Sequence, residues 1–373
     1  MLSPDMSYLT DIYFGYGRLG VLPEVLAGLR VRRPLVVTDR DLVGLGLVKR
    51  LGLARPAVFD RVETNPTERL ARAGAAAYRK AGCDGIIALG GGSPIDLAKI
   101  VALLAVHDPP LVQYAALRGG TAKITRKLPL VVAIPTTAGS GSEVGRAALV
   151  TLSGGIKLGF ISPRLLPAAA ICDPSLTLSM PPALTAGTGM DAISHCLEAY
   201  LSNRINPVAD ALCLDGLSRA WASLRPAVAD GANRIARADM LLASMMAGLA
   251  FQKSLGAVHS LSHPLGGLTA KKLHHGTLNA IFLPHVLRFN HRAAPEKYEI
   301  LAKIVGVDGG EMVAYAVEAL ISELKLPVRL RELGVSREEL PPLARKAFED
   351  HCTPTNPRPL SVEACAELYE RAW

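Results

Sequence analysis

Asp191 and His195 stand four residues apart in Gly189-Met-Asp-Ala-Ile-Ser-His195. That spacing puts a carboxylate and an imidazole on one face of a helix, where they can chelate a cation or simply form a surface pair. Four of the nine histidines fall in two further short segments, His259 and His263 in Ala257-Val-His-Ser-Leu-Ser-His-Pro-Leu-Gly-Gly267, and His274 and His275 just beyond. Neutral imidazoles with one carboxylate suit Zn²⁺ or Fe²⁺ and can leave a coordination position open for substrate. The competing account is a structural or surface cluster of histidines.

A second set of groups suits an anion. In Ala88-Leu-Gly-Gly-Gly-Ser-Pro-Ile-Asp-Leu-Ala-Lys99 a strand-like run passes through three glycines into a helical one. Ser93 is expected at the N-cap, Pro94 at the first helical position and Asp96 three residues after the cap. The glycines let backbone N–H groups and the positive end of a helix approach a pyrophosphate, although a tight turn that binds nothing has the same sequence. This is not the common Gly-x-Gly-x-x-Gly fingerprint followed by an acid about 20 residues later. The suitable acid comes first: Asp39 ends the run 34–39, where it can serve as a turn-former or bond a ribose 2′-hydroxyl, which favours NAD over NADP. The loop Pro135-Thr-Thr-Ala-Gly-Ser-Gly-Ser-Glu143 offers hydroxyls beside flexible backbone, for ligand contact or for turn chemistry.

These groups need a frame. A chain of 373 residues suits two domains. Strand-like runs at 34–39, 85–90 and 130–135, with a helix expected over 67–81, predict a parallel sheet with covering helices. Beyond about 180 nearly everything has helical spacing, with long helices expected at 189–201, 207–224, 234–256 and 310–324. The expected division is therefore an α/β domain over 1–180 and a helical domain over 181–373.

Six cysteines without a Cys-x-x-Cys pair suggest buried thiols rather than disulfides or a zinc knuckle. The net charge of +8 is spread along the chain, which argues against a nucleic-acid partner and leaves room for an anionic substrate. No stretch reaches the roughly 18 apolar residues of a membrane span and no signal region opens the chain, so a cytoplasmic protein is expected.

Taken together and in this order, Gly90-Gly-Gly-Ser-Pro-Ile-Asp96, the 135–143 loop, Gly189-Met-Asp-Ala-Ile-Ser-His195 and the segment His259 to Gly276 resemble the iron-activated, metal-dependent alcohol dehydrogenase family over essentially the whole chain. The resemblance implies an α/β dinucleotide-binding domain followed by an all-α domain, the plan shared with dehydroquinate synthase. It also implies NAD as cofactor and one Fe²⁺ or Zn²⁺ held by Asp191, His195, His259 and His275. His274 is the alternative fourth ligand, because the spacer after His259 is about two residues longer than in many relatives. Asp39, Asn65, Gly91, Gly92, Ser93, Thr136, Thr137, Ser140 and Lys157 match positions that contact the dinucleotide, and His263 matches one beside the nicotinamide, where it can relay a proton. Relatives are commonly dimers, so a homodimer is expected.

Phe251-Gln-Lys-Ser-Leu-Gly-Ala-Val-His259 and Asp350-His-Cys-Thr-Pro-Thr-Asn356 look like a branch that contains 4-hydroxybutyrate dehydrogenases. Such a substrate carries a carboxylate, for which Lys253 and Arg146 are the candidates. The expected reaction is hydride transfer between a small primary alcohol and NAD. Two other readings compete, a dehydroquinate synthase-like lyase and a non-catalytic protein that binds NAD or nucleic acid.

Overall fold

The structure, a computed structural model, describes residues 10–373, and contacts divide these into two compact units. One takes the chain up to Thr137 together with Gly141–Ser179; the other takes Ala138–Ser140 and Met180–Trp373.

The first unit carries strands β1 (Asp11–Phe14), β2 (Pro34–Val37), β3 (Ala57–Phe59), β4 (Gly85–Gly90), β5 (Leu130–Pro135), β6 (Ala147–Thr151), β7 (Lys157–Ile161) and β8 (Ala169–Cys172). Six of them form one parallel sheet in the order β1-β8-β5-β4-β2-β3, in which Ile86 of β4 lies opposite Leu35 and Val131. Helices α1 (Leu22–Gly28), α2 (Arg40–Gly44), α3 (Leu47–Arg50), α4 (Glu68–Lys80) and α5 (Gly92–Val106) accompany it. Successive strand residues point to opposite faces. Ile86 and Ala88 accordingly pack with α4 and α5, whereas Ile87 and Leu89 pack with α1 and α3. A sheet covered on both faces needs no polar alternation, which explains the unbroken apolar runs read as strands. The β6–β7 hairpin was not anticipated, although residues 147–150 form an apolar run like those of the other strands.

The expected capping of α5 is corrected. The helix begins at Gly92 with Gly91 as N-cap, so Ser93 sits inside the first turn and Pro94 follows it. The reason lies one step earlier: Gly90 has φ +146°, a conformation nearly reserved for glycine, and it turns the chain before Ser93 is reached. Asp96 is likewise no part of a cap. It is half-buried and accepts from Ser142 Oγ (2.6 Å) and Leu149 N (2.9 Å).

One turn further along α5, the fully buried Lys99 lies 2.7–2.8 Å from the carbonyls of Ser142, Gly145 and Ala147 and from Ser142 Oγ. Burial pulls its pKa down to about 8 against the opposing charges of Asp96 and Glu143. Asp96 and Lys99 together fasten the loop after β5 and the start of β6 to α5.

The regular structure described in the second unit is helical: α6 (Pro182–Leu201), α7 (Pro207–Ala229), α8 (Arg234–Ala250), α9 (Ala257–Gly266), α10 (His275–Asn290), α11 (Pro295–Val305), α12 (Val313–Glu323), α13 (Leu340–Phe348) and α14 (Val362–Ala372). From Thr185 to Leu201 every residue of α6 is buried. Polar side chains at 191, 195 and 198 in such a helix therefore require partners. Among the described residues no single helix is long and apolar enough to cross a membrane; α8 and α9 pass only as a pair bent by 103°.

Candidate active site

Asp191 and His195 project from α6, His259 from α9 and His275 from the first turn of α10. Asp191 Oδ1 lies 3.9 Å from Nε2 of His195, 3.9 Å from Nε2 of His259 and 3.7 Å from Nε2 of His275. The ligand atoms of Asp191, His195 and His259 all fall within 4.8 Å of one another.

The backs of two rings are held. His195 Nδ1 lies 3.2 Å from the carbonyl of Gly139, and His259 Nδ1 lies 2.6 Å from Glu198 Oε2. A proton fixed on Nδ1 leaves the Nε2 lone pair facing Asp191, the tautomer that a metal ligand needs. Burial keeps His195 neutral, lowering its pKa to about 4 although Asp191 pushes the other way.

Asn279 reports the electronic demand of this place. Its Nδ2 lies 2.7 Å from Asp191 Oδ1, 3.1 Å from His259 Nε2 and 3.2 Å from His275 Nε2. Two amide hydrogens face three acceptors, while the buried Oδ1 has no hydrogen-bond partner. Acceptors that converge so closely call for positive charge, and one carboxylate with three imidazoles fits a divalent iron. His274 is engaged differently: it is the N-cap of α10, and its Nδ1 receives Thr277 N at 3.3 Å.

Close backbone approach makes this convergence possible. A Cβ on Gly276 would lie 2.1 Å from the carbonyl oxygen of Gly187 and 3.1 Å from Asp191 Cβ, so α6 and α10 meet where neither has a side chain. Glu198 does two jobs at once, accepting Val258 N (2.6 Å) at the start of α9 as well as the His259 ring. Asn356 Oδ1 accepts Ala257 N (3.1 Å) at the same helix start.

His263, one turn after His259, is buried with Nδ1 2.9 Å from Asp350 Oδ2. Asp350 also faces His351 Nδ1 at 3.4 Å. Burial alone would raise the pKa of Asp350, but the two imidazoles hold it well below the ordinary carboxylate value. Sequence reasoning gave no role to Glu198 or Asp350. They lie 61 and 87 residues from the histidines they hold, and buried acids at a histidine's back are the only signal that could have marked them.

In the first unit, Gly91 and Gly92 form the turn from β4 into α5, with Ser93 in its first turn. A Cβ on Gly91 would lie 3.0 Å from Thr137 Oγ1, and Thr136 N donates to the carbonyl of Gly90 (3.1 Å), so the two polar loops adjoin. Asp39 caps α2 through Oδ1, 2.8 Å from Leu42 N, and burial raises its pKa despite that bond. Lys157 Nζ donates to Asn65 Oδ1 at 2.9 Å. Ser140 belongs to the second unit.

Lys253 requires a correction. It was expected to hold a substrate carboxylate, but its side chain is fully buried, paired with Asp210 and 3.2 Å from the carbonyl of Tyr200. An ammonium buried among internal acceptors cannot serve an external anion without stranding Asp210. Arg146 lies in the first unit just ahead of β6, where its carbonyl accepts Ser162 N at 3.1 Å.

Residues 10–174 match the family model "Iron-containing alcohol dehydrogenase" and residues 185–373 match "Fe-containing alcohol dehydrogenase family, C-terminal". The chain is 47% identical to the 4-hydroxybutyrate dehydrogenase of Cupriavidus necator, over 98% of this chain and 97% of that protein. It is 39% identical to the 1,3-propanediol dehydrogenase of Citrobacter freundii, over 97% and 96%. Among solved structures, a 1,3-propanediol oxidoreductase matches with TM-score 0.91 and 37% identity over 99% of this chain and 100% of that one. An alcohol dehydrogenase from Oenococcus oeni matches with TM-score 0.93 and 31% identity over the full length of both. Similarity of this extent, on a fold of the same two parts, makes the chain a member of the iron-containing alcohol dehydrogenase family, oxidoreductases that use NAD and an iron ion.

Proposed function

We propose that the chain interconverts 4-hydroxybutyrate and the corresponding aldehyde with NAD, using one divalent iron held by Asp191, His195, His259 and His275. The observation that carries this reading is the convergence of one buried carboxylate and three imidazoles, two of them held at Nδ1 by fixed acceptors. The choice of substrate rests on the 47% identity to a 4-hydroxybutyrate dehydrogenase along nearly the whole of both chains.

When bound, the iron supplies Lewis acidity at an alcohol or carbonyl oxygen, and NAD supplies the hydride acceptor or donor. The residues of the chain do the rest. Glu198 and the carbonyl of Gly139 keep two imidazoles in the tautomer that presents Nε2. Asp350 likewise fixes the proton of His263 on Nδ1, leaving Nε2 to take up or return the hydroxyl proton. The turn at Gly91, Gly92 and Ser93 offers backbone N–H groups to the pyrophosphate, and Asp39 offers a carboxylate to the ribose. Thr136, Thr137, Ser140, Asn65 and Lys157 complete the proposed dinucleotide contacts.

Glu198→Gln tests how the site is held. The amide places an N–H₂ among donors that all require an acceptor, so affinity for iron is expected to fall about 10- to 100-fold, as measured by competition with a chelator. Unchanged affinity would contradict the role given to Glu198.

The substrate is tested by NAD reduction with iron-reloaded protein and a panel of 4-hydroxybutyrate, 1,3-propanediol and ethanol. A single charge-assisted bond to the carboxylate predicts a kcat/KM for 4-hydroxybutyrate about tenfold or more above that for ethanol. Equal values would remove the hydroxy acid from the proposal.

A further inference from the structure

With Lys253 committed to Asp210, a carboxylate substrate needs another partner, and the helical unit contains one. His275, His263 and His351 form a ladder of near-parallel imidazoles. The first two are 5.5 Å apart at 11°, and the second pair is 5.5 Å apart at 10°. At one end His275 presents Nε2 to Asp191. At the other, His351 turns Nδ1 towards Asp350 at 3.4 Å, which leaves Nε2 on the far side of the ring.

The His275 side chain is 27% exposed, and His351, at the other end, is also more open than the rung between them. The His351 side chain is 19% exposed, whereas those of His263 and Asp350 are 5% and 8% exposed, so an outside ligand can reach it without dismantling the core. Burial opposes a charge on the ring, yet the charge of Asp350 and the hydrogen bond to it prevail and raise the pKa of His351 above its ordinary value. An imidazolium with one nitrogen on a fixed carboxylate can bridge to a second carboxylate through the other nitrogen.

We propose that His351 is the carboxylate subsite, donating from Nε2 to the acid group of a short ω-hydroxy acid whose hydroxyl reacts at the His275 end of the ladder. The lengths are comparable: a four-carbon hydroxy acid reaches roughly 6 Å from hydroxyl oxygen to carboxylate oxygen and its hydrogen bond adds roughly 3 Å, within about 2 Å of two rungs of 5.5 Å each. This inference rests on the hydroxy-acid reading given above.

The test compares 4-hydroxybutyrate with 1,4-butanediol, which has the same reach and no charge, in the wild type and in His351→Leu, His351→Gln and His351→Arg, all loaded with iron. In His351→Leu the ratio of kcat/KM for the acid to that for the diol is expected to fall about tenfold or more, mainly through KM. His351→Gln should fall less, and His351→Arg, which restores the charge, should recover most of the preference. A second readout is competitive inhibition by butyrate, which has the carboxylate and no reacting hydroxyl. Its inhibition constant should rise about tenfold in His351→Leu.

A ratio and a butyrate constant that do not change in His351→Leu would overturn the subsite alone. So would equal losses with acid and diol, the mark of a structural role. A wild type that favours the diol yet shows butyrate inhibition sensitive to His351 would overturn the choice of substrate and leave the subsite standing.

Discussion

Asp191→Asn is expected to empty the metal centre and to lower kcat by about 10³-fold or more, because Lewis-acid stabilisation is worth several kcal/mol and each 1.36 kcal/mol is tenfold in rate. The substitution keeps shape and removes charge. An asparagine oxygen can still accept from Asn279 Nδ2, now 2.7 Å from Asp191 Oδ1, so the packing of α6 against α10 is retained. What disappears is the single negative group facing the Nε2 atoms of His195, His259 and His275. Iron per chain after dialysis and turnover with the preferred alcohol should fall together, while circular dichroism and the melting temperature of the metal-free forms stay close. Full iron content with full activity would contradict the assignment of Asp191.

Lys99→Met is expected to be the most destabilising single change in the α/β unit, at about 3–5 kcal/mol. The ammonium is fully buried among the carbonyls of Ser142, Gly145 and Ala147 and the hydroxyl of Ser142. Methionine matches its length and satisfies none of these groups, and Asp96, held by Ser142 Oγ and Leu149 N, loses the positive charge that offsets its burial. Urea unfolding should show a lower midpoint with a similar slope. A loss below about 1 kcal/mol, the scale of an ordinary surface change, would show that the clamp does not hold the loop.

The two histidine segments, the glycine turn and the apolar runs were legible in the sequence because each is local. Spacing alone puts Asp191 and His195 on one face of α6, and unbroken apolar runs mark β4 and β5. What spacing could not give were the groups that hold the site from a distance, Glu198 behind His259 and Asp350 between His263 and His351. Lys253 was misread for a related reason. A lysine near histidines in sequence looks available, and only the fold reveals that Asp210, from α7, takes its charge. Ser93 failed as a cap through one backbone angle, at Gly90. The lyase and binding-only readings fell to the whole-chain match with alcohol dehydrogenases.

Four particular side chains are proposed to share one cation. Anomalous X-ray scattering at the iron edge, from crystals grown anaerobically with Fe²⁺, tests this directly. One strong peak per chain is expected within about 2.0–2.3 Å of Asp191 and of Nε2 of His195, His259 and His275, the usual range for nitrogen and oxygen ligands. A peak instead on a second cluster among the described residues that could hold a metal, His263, Asp350, His351 and Cys352, would contradict the proposed centre and the carboxylate subsite together.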